Sequence, residues 1–300
     1  MIHDFRLSRR SFLAGSAATV AALPVAHSSA DDAQRENKFC AFIKFVQSLS
    51  YDAMAETIAE LGFDGIEATV REKGQIAPEE AEDELPKLVE ALRRCGLEIT
   101  VMASSINSVD QPHTEKVLRT AASLGIQRYR MTYYRYDEDR PLPQQLADFR
   151  RELRALVAMN RELGIAAVYQ NHAGARYVGA PVWDLHQLIR DFSVDEVGVA
   201  FDIRHATVEG GSAWPLHYRL MKPHLGAVYV KDFVWKQFKA DNIALGKGQV
   251  DPKFFQMLRK DGYAGPISLH VEYLPQAGLD ANVRALGKDL KTLKSLLATS

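Results

Sequence analysis

The chain has 300 residues, 47% of them hydrophobic and 25% charged, with 37 Lys and Arg against 38 Asp and Glu. That is enough apolar sequence for one large domain with a substantial core. A net charge near zero, with no basic run, excludes a protein built to wrap nucleic acid.

The first thirty residues have the layout of an export signal. Arg6, Arg9 and Arg10 form a charged start, Phe12 to Ala26 are mostly small and apolar, and Ser28-Ser29-Ala30 precede Asp31-Asp32. These are the n-region, h-region and cleavage site of a secretory leader. The apolar run falls short of the roughly 20 residues that span a bilayer. Ser8-Arg9-Arg10-Ser11-Phe12-Leu13 matches the twin-arginine pattern, and no cysteine near the cleavage site offers a place for a lipid. The expectation is a signal peptide over 1–30 and a folded unit over 31–300, exported to the periplasm or beyond the cell without a stable membrane anchor. Removing 1–30 takes away three Arg and one Asp, leaving a net charge of about −3. Cys40 and Cys95 are the two cysteines. They read as a buried strand residue and a helix-end residue, and a domain of this size needs no disulfide staple.

Beyond Lys38, short apolar runs alternate with amphipathic stretches. The apolar runs are Phe39–Lys44, Asp64–Thr69, Glu98–Ala103, Gln127–Thr132, Ile165–Gln170, Val197–Asp202, Gly226–Lys231 and Pro266–Glu272. Helical patterns cover Tyr51–Leu61, Ala81–Cys95, Thr114–Leu124, Gln144–Leu163, Val182–Phe192 and Ala281–Leu297. Strands alternating with helices imply βαβ units and a parallel sheet. Eight such units in this length predict an α/β fold, a single (β/α)8 TIM barrel. Gly62, Gly96, Gly125, Gly164 and Gly262 each follow a helical run and precede a strand, where a left-handed helix-ending residue belongs.

Such barrels carry their sites at the C-terminal strand ends, and polar residues gather there. The second run offers Glu67, and the fourth Arg130, followed by Tyr133, Tyr134 and Tyr136. The fifth ends in Gln170-Asn171-His172, the sixth in Asp202 with His205 beyond, the seventh in Lys231-Asp232, and the eighth holds His270 and Glu272. Residues two apart share a strand face, so His270 goes with Glu272, Tyr229 with Lys231, and Gln170 with His172. Any one of these fits a structural ion pair at the rim; their spread over four strands points to a site. Glu67 could instead pair with Arg71 or Arg130, and Lys231 with Asp232. Trp235 could stack on a sugar or pack its loop, and the tyrosines could line a pocket or simply pack. The stretch from Phe233 to Asp251 is longer than a usual βα loop and long enough for a lid.

Gly65-Ile66-Glu67, Tyr169-Gln170-Asn171-His172, Phe201-Asp202-Ile203-Arg204-His205, Val230-Lys231-Asp232 and Gly265-Pro266-Ile267-Ser268-Leu269 resemble the xylose isomerase-like TIM-barrel superfamily, closest to its sugar phosphate isomerase/epimerase branch. The resemblance implies a divalent metal held by Glu, Asp, His and Glu, and a pair of bases that move a proton beside a sugar carbonyl. The ligand positions fall here on Gln170, Asp202, Tyr229 and His270, so only Asp202 keeps its type. It leaves Gln170, Asp202 and His270 as candidate ligands for one ion of Mn, Fe, Co, Zn or Mg. Glu272, His270, Lys231, His172 and His205 are the candidate catalytic residues. Glu67, Arg130, Asn171, Tyr229, Asp232 and Trp235 are the candidate substrate contacts. The expected partner is a small sugar or keto-sugar, isomerised, epimerised or cleaved by proton transfer alpha to its carbonyl; homo-oligomerisation is left open. The alternative is a carbohydrate-binding barrel that has lost the metal site and catalysis. Hydrolysis is a third reading, but neither a zinc cluster nor a basic surface for a nuclease is evident.

Overall fold

The computed structural model describes residues 37–298; the expected signal peptide lies outside them. In chain order the elements are β1 (Phe39–Phe42), α1 (Tyr51–Glu60), β2 (Gly65–Val70), α2 (Ala81–Arg94), β3 (Glu98–Ser104), α3 (Thr114–Ser123), β4 (Arg128–Arg130), α4 (Leu142–Leu163), β5 (Ala166–Gln170), α5 (Trp183–Ile189) and β6 (Val197–Asp202). Then come α6 (Ile203–Gly210), α7 (Trp214–Met221), β7 (Leu225–Val230), β8 (Asp232–Lys236), β9 (Lys239–Ile243), α8 (Lys253–Lys260), β10 (Ile267–Leu269) and α9 (Leu279–Ala298). Strands β1 to β7 and β10 close a parallel barrel, with Phe39 opposite Ile267 at the seam. This is the single (β/α)8 barrel expected from the alternation.

Local chemistry sets the elements. Ser50 caps α1 by accepting from the Ala53 N–H, which meets one of the donors a helix start leaves unpaired. The five glycines expected at helix ends all have positive φ, the conformation glycine adopts without a Cβ clash. Helix stripes such as Leu85, Leu88 and Leu92 of α2 bury against the outside of the sheet. Inside, Val101, Val168, Ala200, Ala227 and Tyr229 form a separate small cluster. The interior is narrow: a Cβ on Gly226 would lie 2.7 Å from Val168 Cγ1.

β4 and β10 are shorter than expected from sequence. Backbone pairing nevertheless continues one residue on, with the Met131 N–H donating to Val168 and the His270 N–H to Val230. Beyond that the chain leaves the ladder and carries Tyr133 and Glu272 over the barrel mouth. The alternation names no helix between Asp202 and Gly226, yet α6 and α7 lie there. Gly210-Gly211 divides them into runs too short to show a helical period. The long loop after β7 begins with an antiparallel hairpin pairing Asp232 with Ile243 and Lys236 with Lys239. Cys40 is buried in β1, Cys95 follows α2, and both are free thiols. Among the described residues, no helix is long and apolar enough to cross a membrane.

Candidate active site

A buried network of charge crosses the barrel just below its C-terminal mouth. At its centre is Glu67 on β2, which is fully buried. Its Oε1 accepts from Arg130 Nε at 2.9 Å and from the Tyr229 hydroxyl at 3.0 Å. Its Oε2 accepts from Ser268 Oγ at 2.7 Å and lies 2.8 Å from His270 Nε2. Four strands thus converge on one carboxylate. Burial pushes its pKa up, but His270, Arg130 and the hydrogen bonds outweigh this and hold it at about 2.

From Arg130 the network runs upward. Arg130 Nη1 and the Tyr133 hydroxyl both donate to Gln170 Oε1, at 3.2 and 2.6 Å. Gln170 Nε2 donates to Asp202 Oδ2 at 2.8 Å. The same Asp202 oxygen is 3.2 Å from Lys231 Nζ, which is also 3.2 Å from Glu272 Oε2. Lys44 Nζ takes the other Glu272 oxygen at 3.3 Å. Lys231 is therefore an ammonium clamped between two carboxylates, with its side chain 6% exposed. Burial favours the neutral amine, but Asp202 and then Glu272 outweigh it and hold the group above its ordinary range. For Glu272 burial is likewise opposed, chiefly by Lys231 and then by His270 and Lys44, so it stays ionised.

Two imidazoles flank this cation. His172 and His205 lie with ring centres 3.9 Å apart and their planes tilted by 35°, and His172 also packs against Tyr133 and Tyr177. Burial, and then Lys231, pushes His172 down to about 4. Burial followed by Lys231 and His172 drives His205 well below its ordinary value. Both are neutral near pH 7. His172 Nδ1 lies 2.8 Å from the Ala173 carbonyl, which fixes the proton on Nδ1 and leaves Nε2 as the free lone pair. His205 is seated by α6, whose first turn is capped by Asp202 accepting from the His205 N–H.

Several of the expected substrate contacts are engaged within the protein. The Asn171 amide accepts from the Asp202 N–H at 2.7 Å and donates to the Asp202 carbonyl at 3.0 Å. It thereby clamps β5 to β6. Asp232 is also engaged, its carboxylate accepting from the backbone N–H groups of Phe233, Gly246, Gly248 and Val250. A Cβ on Gly248 would sit 2.2 Å from the Phe233 carbonyl oxygen, so the loop wraps this carboxylate only with glycine there. We expect Asp232→Ala to lower the local opening free energy of residues 244–250 by about 3 kcal/mol, the scale of losing charge-assisted hydrogen bonds. Hydrogen exchange would read this as faster exchange confined to the loop. Tyr229 lies below the mouth on Glu67, and Trp235 stands on the hairpin, 48% exposed and edge-on to Phe233.

The residues present do not fit the family's divalent metal. Gln170 offers Asp202 its amide nitrogen, not its oxygen. His270 Nε2 and the Tyr229 hydroxyl are both engaged with Glu67. Above all, the Lys231 ammonium already lies 3.2 Å from both Asp202 and Glu272, and a second cation between them would meet like-charge repulsion. Among the described residues, no group of three or more His, Cys, Asp or Glu is placed to hold a metal.

Residues missed from sequence include Lys44, Tyr177 and Arg71. Lys44 had a signal, lying two residues beyond Phe42 on the first run. Arg71 directly follows β2 and was weighed only as a partner for Glu67, a place that Arg130 takes instead.

A closed (β/α)8 barrel with its ionisable groups gathered at the C-terminal strand ends defines the class. The chain belongs to the xylose isomerase-like TIM barrel family, whose model matches residues 55–296. Solved structures with the same fold include a putative xylose isomerase from Rhodospirillum rubrum, with TM-score 0.72 and 16% identity, covering 86% of this chain and 99% of that one. The 3-keto-D-glucoside 4-epimerase of E. coli aligns with TM-score 0.65 and 17% identity, covering 87% and 100%. A probable 3-DHS dehydratase from Bacillus anthracis aligns with TM-score 0.67 and 15% identity, covering 86% and 98%. No curated protein sequence matches the chain.

Proposed function

We propose that the protein is an enzyme of the isomerase, epimerase or lyase kind that moves a proton alpha to the carbonyl of a sugar or keto-sugar, without a metal. What supports this most is the placement of Lys231, a permanent cation fixed between Asp202 and Glu272 beside two neutral imidazoles. With the substrate carbonyl oxygen against Lys231 Nζ, removal of the neighbouring C–H proton leaves an enolate whose charge the ammonium stabilises. His172 Nε2 takes that proton. Returning it to the adjacent carbon gives isomerisation, and delivery of a proton to the opposite face by water gives epimerisation, since His205 lies against His172 on the same side. Where a leaving group stands beta to the carbonyl, its loss from the enolate gives elimination. His270 and Glu67 lie beneath this chemistry and set the position of Arg130 and Gln170. The family's sugar isomerases and epimerases, among them structural neighbours such as the 3-keto-D-glucoside 4-epimerase, favour the same substrate class. Action on free sugars after export to the periplasm is part of this proposal.

The test is substrate C–H exchange with deuterium in D2O, followed by NMR over a panel of sugars and keto-sugars. Exchange at a position beside a carbonyl supports the proposal. Binding of panel members without any exchange would sink it in favour of a carbohydrate-binding barrel. The acid limb of kcat/KM is a second check. Protonating His172 removes the base, so activity falls as pH drops through about 4 and is flat across the ordinary histidine range near 6.5.

A further inference from the structure

The ion pairing at the mouth leaves one guanidinium over. Lys231 is shared by Asp202 and Glu272, Lys44 pairs with Glu272, and Arg130 with Glu67. Arg204 donates to the Ala240 carbonyl and meets His205. Among the described residues, the Arg71 side chain has no ion pair or hydrogen bond. Yet it is half-buried, and it lies close enough to Arg130, Glu67, Tyr133 and Glu272 to interact with each electrostatically. Its guanidinium carbon is 5.9 Å from the centre of the Phe42 ring.

The backbone holds it ready. The Arg71 N–H donates to Ile76 at 3.0 Å and its carbonyl accepts from the Gly74 N–H at 2.8 Å. A Cβ on Gly74 would fall 2.7 Å from the Thr69 carbonyl oxygen and 3.1 Å from Arg71 Cγ, so this tight turn needs glycine. A partly desolvated cation with Arg130 as a neighbour and no anion of its own is electrostatically unfavourable. An arriving anion relieves that, and a planar fork of N–H donors suits the two oxygens of a carboxylate. A phosphate dianion suits it less, because a third oxygen would lack a donor and the second charge would face Glu67 and Glu272.

We propose that Arg71 binds a carboxylate on the substrate, so that the sugar acted on is a sugar acid. This rests on the mouth being a sugar site, as under Proposed function, and extends it to the substrate's charge. The neighbouring Glu272, tied to Lys44 and Lys231, then repels a misplaced acid and favours the orientation with the carboxylate on Arg71.

Labelling of arginines with phenylglyoxal tests this on the intact protein without requiring turnover. Peptide mass mapping follows the rate at Arg71 in the presence of D-glucuronate, D-galacturonate, D-glucose, D-galactose or inorganic phosphate. The expected result is that at least one uronate slows Arg71 labelling about tenfold at a concentration about ten times its Kd, while its neutral counterpart and phosphate do not. Equal protection by neutral sugar, stronger protection by phosphate, or none by either uronate would overturn the assignment. Protection by a uronate that then shows no C–H exchange would leave the carboxylate site standing and remove the proposed chemistry. Exchange on neutral sugars with no uronate protection would do the reverse.

Discussion

Lys231→Met is expected to lower the rate of substrate C–H exchange by about 10²–10³-fold, the loss seen when a single enolate- or oxyanion-stabilising donor is removed. The effect should fall on kcat more than on KM, because the ammonium meets full negative charge only as the proton leaves. Stability should fall too. Asp202 is fully buried and Glu272 largely so, and without the shared cation Asp202 loses its ammonium partner while Glu272 keeps only Lys44, which costs about 3 kcal/mol. Lys231→Arg separates the two effects: it keeps the charge and recovers most of the stability, but its planar fork cannot present a single compact charge to the carbonyl, so little of the rate returns. Treatment with chelator should leave the wild-type rate unchanged. A Lys231→Met protein that folds and exchanges at the wild-type rate would end the proposed mechanism.

The second large effect lies at Glu67. Glu67→Gln keeps the shape but removes the charge that four donors share, leaving Arg130 buried without a counter-ion. The cost is about 3–5 kcal/mol, or a drop in melting temperature of roughly 10 °C for a domain of this size. The same carboxylate sets a pH dependence. Its folded pKa is depressed from an ordinary 4.5 to about 2, so its stabilisation is complete above the unfolded value and is lost as pH falls from there toward 2. The difference amounts to about 3 kcal/mol. Denaturant melts of wild type should weaken over that window, and those of Glu67→Gln should weaken less. Parallel curves for the two proteins would show that Glu67 is not the titrating group.

The fold was legible because its signals are local and repeated: eight apolar runs, each introduced by a helix ending in glycine or by a turn. What escaped was held by short or interrupted patterns. The Gly210-Gly211 break hid the pair α6 and α7, and the hairpin β8–β9 is half polar and half-exposed, with nothing like a core strand's run. At the site, strand periodicity put Glu67, Arg130, Gln170, Asp202, Lys231 and His270 at the right end of the barrel. Periodicity does not say which partner each finds across the barrel, so Asn171 and Asp232, polar and at strand ends, looked like substrate contacts. Only three-dimensional proximity reveals that one fastens Asp202 and the other gathers four backbone N–H groups. The same limit applies to Arg71 and Arg130, which compete for Glu67 in sequence and are separated only in space.

The clamp on Lys231 has a consequence for where such a protein can work. A cation that is part of the polypeptide cannot be diluted away, stolen by a competing scavenger, or replaced by the wrong ion from the surroundings. On the proposed mechanism it would be in place as soon as the chain folds, without a loading step, and the rate would hold where iron and manganese are scarce.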